Sequence, residues 1–140
     1  MLIAVAWAPV TATSGRFNDA TQTAGIRLKN TFGGTEKRFI LEAHGSGAGF
    51  FDSDNDGDLD LYVVNGSTFE THPSLSGPGN VLYQNNGNGT FTDATQTTGV
   101  GHSGWGAGCA VGDVDNDGDR DLYVTNYGSN VFYNNLGNGT

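Results

Sequence analysis

The chain of 140 residues repeats itself, and no other feature narrows its fold as much. Phe17-Asn18-Asp19-Ala20-Thr21-Gln22-Thr23-Ala24-Gly25 returns as Phe91-Thr92-Asp93-Ala94-Thr95-Gln96-Thr97-Thr98-Gly99, at an offset of 74. Asp52-Ser53-Asp54-Asn55-Asp56-Gly57-Asp58-Leu59-Asp60-Leu61-Tyr62-Val63 returns from Asp113 to Val124, at an offset of 61. The run from Asn80 to Thr90 returns from Asn130 to Thr140, at an offset of 50. The falling offsets place two insertions in the first copy, between Gly25 and Gly45 and between Asn65 and Asn80. Insertions in a repeat protein map to exposed loops, often on a binding face.

The repeat divides the chain into an apolar N-terminal segment (1–16), a first copy (17–90) and a second copy (91–140). Met1–Val10 reads as a β-strand, with a signal-peptide remnant as the alternative. Each copy reads as four short strands, in the second copy near 91–96, 105–112, 121–126 and 130–134. Phe, Tyr, Val and Thr fill these stretches, and Gly, Asn and Asp punctuate them. Leu61-Tyr62-Val63-Val64 and Leu122-Tyr123-Val124 are apolar at successive positions, so both strand faces are expected to be covered, as in a stack of sheets. Residues 36–43 form the only weak helix candidate. The expected fold class is all-β.

Charge is local. The net charge is −9, and ten of the twelve aspartates fall within 52–60 and 113–121. The remainder of the chain is nearly neutral. Nucleic acid is excluded as a partner, because phosphate binding needs clustered Lys and Arg. No apolar run reaches the ~18 residues of a membrane-spanning helix. A single cysteine excludes an intrachain disulfide framework.

Aspartates at alternate positions repel one another unless a cation compensates them. Calcium takes six to eight oxygens in a flexible shell. Asp52, Asp54 and Asp56 occupy loop positions 1, 3 and 5, and Gly57 allows the sharp turn at position 6. Asp58 would offer its main-chain carbonyl and turn its side chain to solvent, and Asp60 would close the shell with its carboxylate. Asp113, Asp115, Asp117, Gly118, Asp119 and Asp121 repeat the set. Two Ca2+ sites are therefore expected. An EF-hand is excluded, because position 12 is Val63 or Val124 where that loop needs a bidentate Glu. No Cys or His joins the run, which disfavours zinc. Magnesium prefers fewer carboxylates.

With Gly-Ala-Gly before the acidic run, Leu-Tyr-Val after it and Asn-Val-Leu-Tyr-Gln-Asn-Asn-Gly-Asn-Gly-Thr-Phe at its end, the sequence resembles the FG-GAP/VCBS repeats of integrin α-subunits and secreted chains. The resemblance covers 17–26 and 44–140. It implies two four-stranded propeller-type blades, with calcium held in the hairpin between the first two strands of each. A closed propeller needs more blades than two, so neighbouring copies or a longer chain are expected to complete the stack.

Other candidates carry less. His44, His72 and His102 are not repeated and read as structural or surface groups. Cys109 reads as a small buried hydrophobe, and Trp105 and Tyr127 as packing residues with sugar stacking as the alternative. Asn65, Asn88 and Asn138 start N-glycosylation patterns that an Asn-Gly-rich chain produces by chance. The expected function is a non-enzymatic extracellular scaffold or adhesion protein, secreted or at the cell surface, joined as a homo-oligomer or head-to-tail filament or ring. The alternative is a glycan- or protein-binding module that grips its ligand with the two insertions.

Overall fold

The structure, a computed structural model, describes residues 17–43 and 45–137. Seven strands form two antiparallel sheets. The first sheet joins β1 (Ala48–Phe51), β2 (Asp60–Val63), β3 (Val81–Asn85) and β4 (Phe91–Asp93) in sequence order. The second joins β5 (Trp105–Gly112), β6 (Asp121–Tyr127) and β7 (Val131–Tyr133). Among the described residues helix is confined to single turns, at Ile40–Ala43, His72–Ser74 and Thr95–Thr98. The all-β expectation holds, and the weak helix candidate at 36–43 becomes a short 3-10 turn. The proposed N-terminal strand at 1–16 and His44 lie outside the described residues.

The sheets run out of phase with the sequence repeat. Phe91–Asp93 opens the second copy, yet it pairs with β3 of the first sheet, with Tyr83 opposite Asp93 and Asn85 opposite Phe91. The reason is local: a tight turn rich in Asn and Gly returns the chain at once. Asn86 N–H donates to Thr90 O at 2.9 Å across this turn, which Gly87 and Gly89 complete with positive φ. The chain then crosses to the next sheet through the single turn Thr95–Thr98 and Gly99. The second sheet accordingly has three strands among the described residues, where the repeat alone suggests four.

Alternation along the strands sets the core. Phe51, Tyr62, Val64 and Leu82 project from one face of the first sheet, and Leu122 and Val124 from the facing side of the second. Val100, Cys109 and Tyr133 pack against them. Tyr62 is fully buried, and its hydroxyl donates to Val100 O at 2.9 Å. Burial pushes its phenol well above the ordinary range, so the group stays neutral. The Cys109 thiol is also pushed up by burial, in keeping with a packing role.

The outer face of the first sheet is covered differently. The hydroxyl of Tyr83 accepts from the N–H groups of Arg27 and Leu28 at 3.0 and 2.8 Å, and Asn65 Oδ1 accepts from Thr31 N–H at 2.8 Å. The first insertion thus lies on this sheet instead of projecting from it. β2 is buried on its inner face; on its outer face the insertion reaches Tyr83 and Asn65, while Phe50 beside Leu61 stays 62% exposed. In β6, Tyr123 is 40% exposed and Phe132 beside it 47%. The second sheet has the first on one face; on the other the second insertion reaches Trp105 and Tyr127 at the far end, and Tyr123 and Phe132 stay uncovered among the described residues.

The two insertions pack on each other at the end of the sheets away from the acidic loops. Gly33 N–H donates to Ser67 O at 2.7 Å. Glu42 is buried within the first insertion, where the N–H groups of Arg38 and Gly34 hold its carboxyl below the usual carboxylate range. Phe39, Phe69 and Trp105 follow in contact, with ring centroids 5.0 Å apart at each step, and His72 bridges Trp105 to Tyr127.

The sheets meet most closely where β5 lacks side chains. Gly106 N–H donates to Asn65 O at 3.0 Å, and a β-carbon at Gly106 would stand 2.6 Å from that oxygen and press on Val64. Gly106→Ala is expected to cost about 1–3 kcal/mol through overpacking, read as a lower urea midpoint with an unchanged m-value.

Candidate metal centre

Each acidic run forms the hairpin between the first two strands of its sheet: 52–59 joins β1 to β2, and 113–120 joins β5 to β6. Within each loop the carboxylates at alternate positions turn inward. One oxygen from each of Asp52, Asp54 and Asp56 lies within 4.8 Å of the others, and Asp113, Asp115 and Asp117 repeat this grouping. At that distance like charges repel by about 1 kcal/mol per pair in water and about 3–4 at an effective dielectric of about 20.

The loop backbone offsets part of this repulsion. Asp52 accepts from Asp56 N–H at 3.2 Å and from Gly57 N–H at 3.0 Å. Asp113 accepts from Asp117 and Gly118 N–H, each at 3.1 Å. The turn needs positive φ at two points in each loop. Asn55 and Asn116 adopt φ 62°, a region where Asn is tolerated, and Gly57 and Gly118 adopt φ 93° and 100°.

Asp60 and Asp121 stand apart from these triads. Both are essentially fully buried at the first position of β2 and β6. Asp60 accepts from Ser53 N–H at 3.0 Å, from the Ser53 hydroxyl and from Asn85 N–H at 2.8 Å. Asp121 accepts from Val114 N–H at 2.8 Å and Asn135 N–H at 2.9 Å. Each carboxylate therefore ties the base of its loop to the end of the third strand of its sheet. Asp58 and Asp119 also depart from expectation. Their side chains do not point freely into solvent but lie against Gly87 and Gly137, where a β-carbon would come within 2.8 and 2.6 Å of the carboxylate. Gly87 and Gly137, which follow β3 and β7, thus sit beside the loops.

Three contacts join the loops to their surroundings in ways the sequence does not signal. Asn55 Nδ2 donates to Asp119 Oδ1 at 2.5 Å, which brings the two acidic loops together. Asn135 Nδ2 donates to Ser53 O at 2.8 Å, from the second sheet to the first loop. Gln84 Nε2 donates to Asp54 Oδ2. Asn85 and Asn135 had a sequence signal, since they recur at matched positions, but the pattern reads equally well as part of a turn.

The remaining candidates fall outside this centre. His72, Trp105 and Tyr127 belong to the aromatic row at the other end. Cys109 is half-buried in β5, and His102 N–H donates to Val100 O at 3.0 Å. Asn65 is 1% exposed, with Oδ1 accepting from Thr31 and Gly66 N–H, so its glycosylation pattern is an internal structural motif. Asn88 lies in an exposed turn and accepts from Thr90 N–H. Asn138 lies outside the described residues.

Asp60→Ala strips the acceptor from two main-chain donors in or beside the core. With chelator present in both samples, so that the loop base alone is read, the variant is expected to lose about 2–5 kcal/mol against urea. A loss below about 0.5 kcal/mol, the scale of an ordinary surface change, would show that the hairpin stands without this brace.

Comparison with known families matches residues 52–124, a little over half of the chain, to the FG-GAP-like repeat. The match starts at the first acidic loop and ends in β6, so it spans both hairpins. No curated protein and no solved structure gives a significant match. The paired hairpins, their matched carboxylate triads and this correspondence lead to one assignment: the chain belongs to the FG-GAP-like repeat family.

Proposed function

We propose that the protein is an extracellular, non-enzymatic β-repeat scaffold, stabilised by one Ca2+ in each acidic hairpin and joined head to tail with further copies. The observation that carries the calcium part is the duplicated triad, Asp52/Asp54/Asp56 and Asp113/Asp115/Asp117. The donor set fits a hard cation, because it is all oxygen and rich in carboxylates. Main-chain carbonyls of Asp58 and Asp119 are proposed as further ligands. Asp60 and Asp121 are proposed through carboxylate lone pairs that the brace leaves open, since a carboxylate offers about four acceptor sites and the brace uses three on Asp60 and two on Asp121. A ligand shell of this kind in an extracellular module binds at about 10⁻⁴–10⁻³ M, which suits surroundings rich in calcium. That range is the ground for proposing secretion or surface display.

A second reading is favoured by one feature. Phe39, Ile40 and Phe69 are 60%, 82% and 40% exposed on the packed insertions, and Phe39 and Phe69 border a cleft with Arg38, Glu42 and Glu70. A glycan or protein ligand would bind there, at the end opposite the hairpins. Phe39→Ala and Phe69→Ala would then abolish glycan-array or pull-down signals without altering the response to calcium.

The scaffold reading is tested by melting the protein in calcium and in chelator. Saturation at 100 times Kd is expected to add about 2.7 kcal/mol per site, so the melting temperature rises with calcium. Asp54→Asn combined with Asp115→Asn is expected to lower stability and to remove most of that rise. Equal melting temperatures for the parent chain in the two conditions would sink the calcium assignment.

A further inference from the structure

The junction between the two sheets is a template that the molecule contains once and has the surfaces to build again. At this junction the Tyr62/Leu82 face of the first sheet packs on the Leu122/Tyr133 face of the second. The repeat gives each of these residues a counterpart. Tyr62 and Leu82 correspond to Tyr123 and Phe132, which are adjacent on the open face of the second sheet and 40% and 47% exposed. Leu122 and Val111 correspond to Leu61 and Phe50, which are adjacent on the outer face of the first sheet, with Phe50 62% exposed. One open face is thus the counterpart of one half of the internal junction, and the other open face of the other half.

The connecting segment is duplicated in the same way. At the internal junction residues 91–102 supply β4 to the first sheet, cross over and dock on the second. Residues 19–25 already share two turn features with 93–99. Thr21 N–H donates to Asp19 Oδ1 at 3.0 Å as Thr95 N–H does to Asp93 Oδ1, also at 3.0 Å. Gly25 adopts φ 82° and Gly99 φ 74°. The parallel stops at the strand. Phe91 pairs with Asn85, whereas its counterpart Phe17 is 93% exposed. Meanwhile β7 pairs with β6 alone among the described residues. An unpaired strand edge is a template for another chain.

We propose that Phe17-Asn18-Asp19 of one molecule adds as the outer strand to β7 of a second copy, with the outer face of its first sheet seated on Tyr123 and Phe132. The register follows from β3 and β4. Asp19 stands opposite Tyr133, Asn18 opposite Asn134 and Phe17 opposite Asn135. A further bond follows from Phe91 N–H, which donates to Ala24 O at 2.8 Å. Its counterpart runs from Phe17 N–H to Thr98 O of the receiving copy. Thr98 and Asn135 both line an apolar cavity of about 230 Å³ beside β7, with Phe51, Leu82, Val100 and Leu122 in its wall, so the incoming strand arrives at its mouth. The contact is heterologous and propagates as a ring or filament. The occupant is a second copy because this chain carries the strand sequence that fills the equivalent place in its own first sheet. The proposal deepens the scaffold reading and rests on its head-to-tail element.

The test uses the full chain in calcium, with Cys109→Ala as background. Asn18→Cys and Asn134→Cys are made as separate variants and mixed under mild oxidation. Opposed residues of neighbouring strands bring α-carbons to about 4.5–5.5 Å, within the disulfide range. A mixed disulfide dimer is expected, well above the homodimers of either variant alone. Absence of the mixed dimer, or a dominant homodimer of one variant, overturns the junction. In sedimentation velocity the parent chain is expected to associate with rising concentration, and Phe132→Asp to lose that association while keeping the melting temperature that the parent shows at dilutions where it is monomeric. A parent that stays monomeric, or a Phe132→Asp variant that still associates, also overturns it. The calcium-dependent melting shift, read on the same samples, reports separately on the metal sites.

Discussion

A cluster of carboxylates that must face one another is stable only where the chain around it cannot spread, and the seating of the two acidic hairpins is what the rest of the molecule serves. Asp60 and Asp121 do the seating. Each is buried at the start of a central strand, and each accepts main-chain N–H groups from the loop it closes and from the third strand of its sheet. A buried carboxylate is costly without such donors. With them it fixes the hairpin mouth, so the triads at the tip keep their spacing. The brace uses main-chain donors at the base of each loop and at the end of the third strand, and both sheets carry it.

Packing between the sheets works by a different rule. Tyr62 and Tyr123 are repeat counterparts, yet one is completely buried and the other 40% exposed. The sequence around them is nearly the same. Their difference lies in what stands opposite: the first sheet has a neighbour on that face, and the second does not. A residue type that is a core residue in one copy is therefore a surface residue in the other, and the apolar area left open is the kind that marks an interaction surface.

The two ends of the sheets have separate chemistry. One end carries the acidic hairpins, joined through Asn55 and Asp119. The other carries both insertions, a row of aromatic rings and a buried Glu42 held by main-chain N–H groups. Four of the six basic residues lie in the first insertion. The acidic hairpins and the packed insertions thus stand at opposite ends of the same strands.

The sequence by itself determined the repeat, the all-β class, the two hairpins and the inward triads, because these depend on local patterns. Alternating aspartates before a β-branched strand have few ways to fold, and Asn-Gly turns reverse the chain within a few residues. It also placed strands near 105–112, 121–126 and 130–134, close to the observed β5, β6 and β7. Only the tertiary structure decided which sheet receives Phe91–Asp93, that Asp60 and Asp121 brace the loop bases, that Asp58 and Asp119 lie under glycine turns, and that the first insertion covers Tyr83. Each of these depends on hydrogen bonds and contacts between residues far apart in the chain, such as Asn135 with Ser53. A pattern with a period of two residues cannot report which partner a strand face will meet.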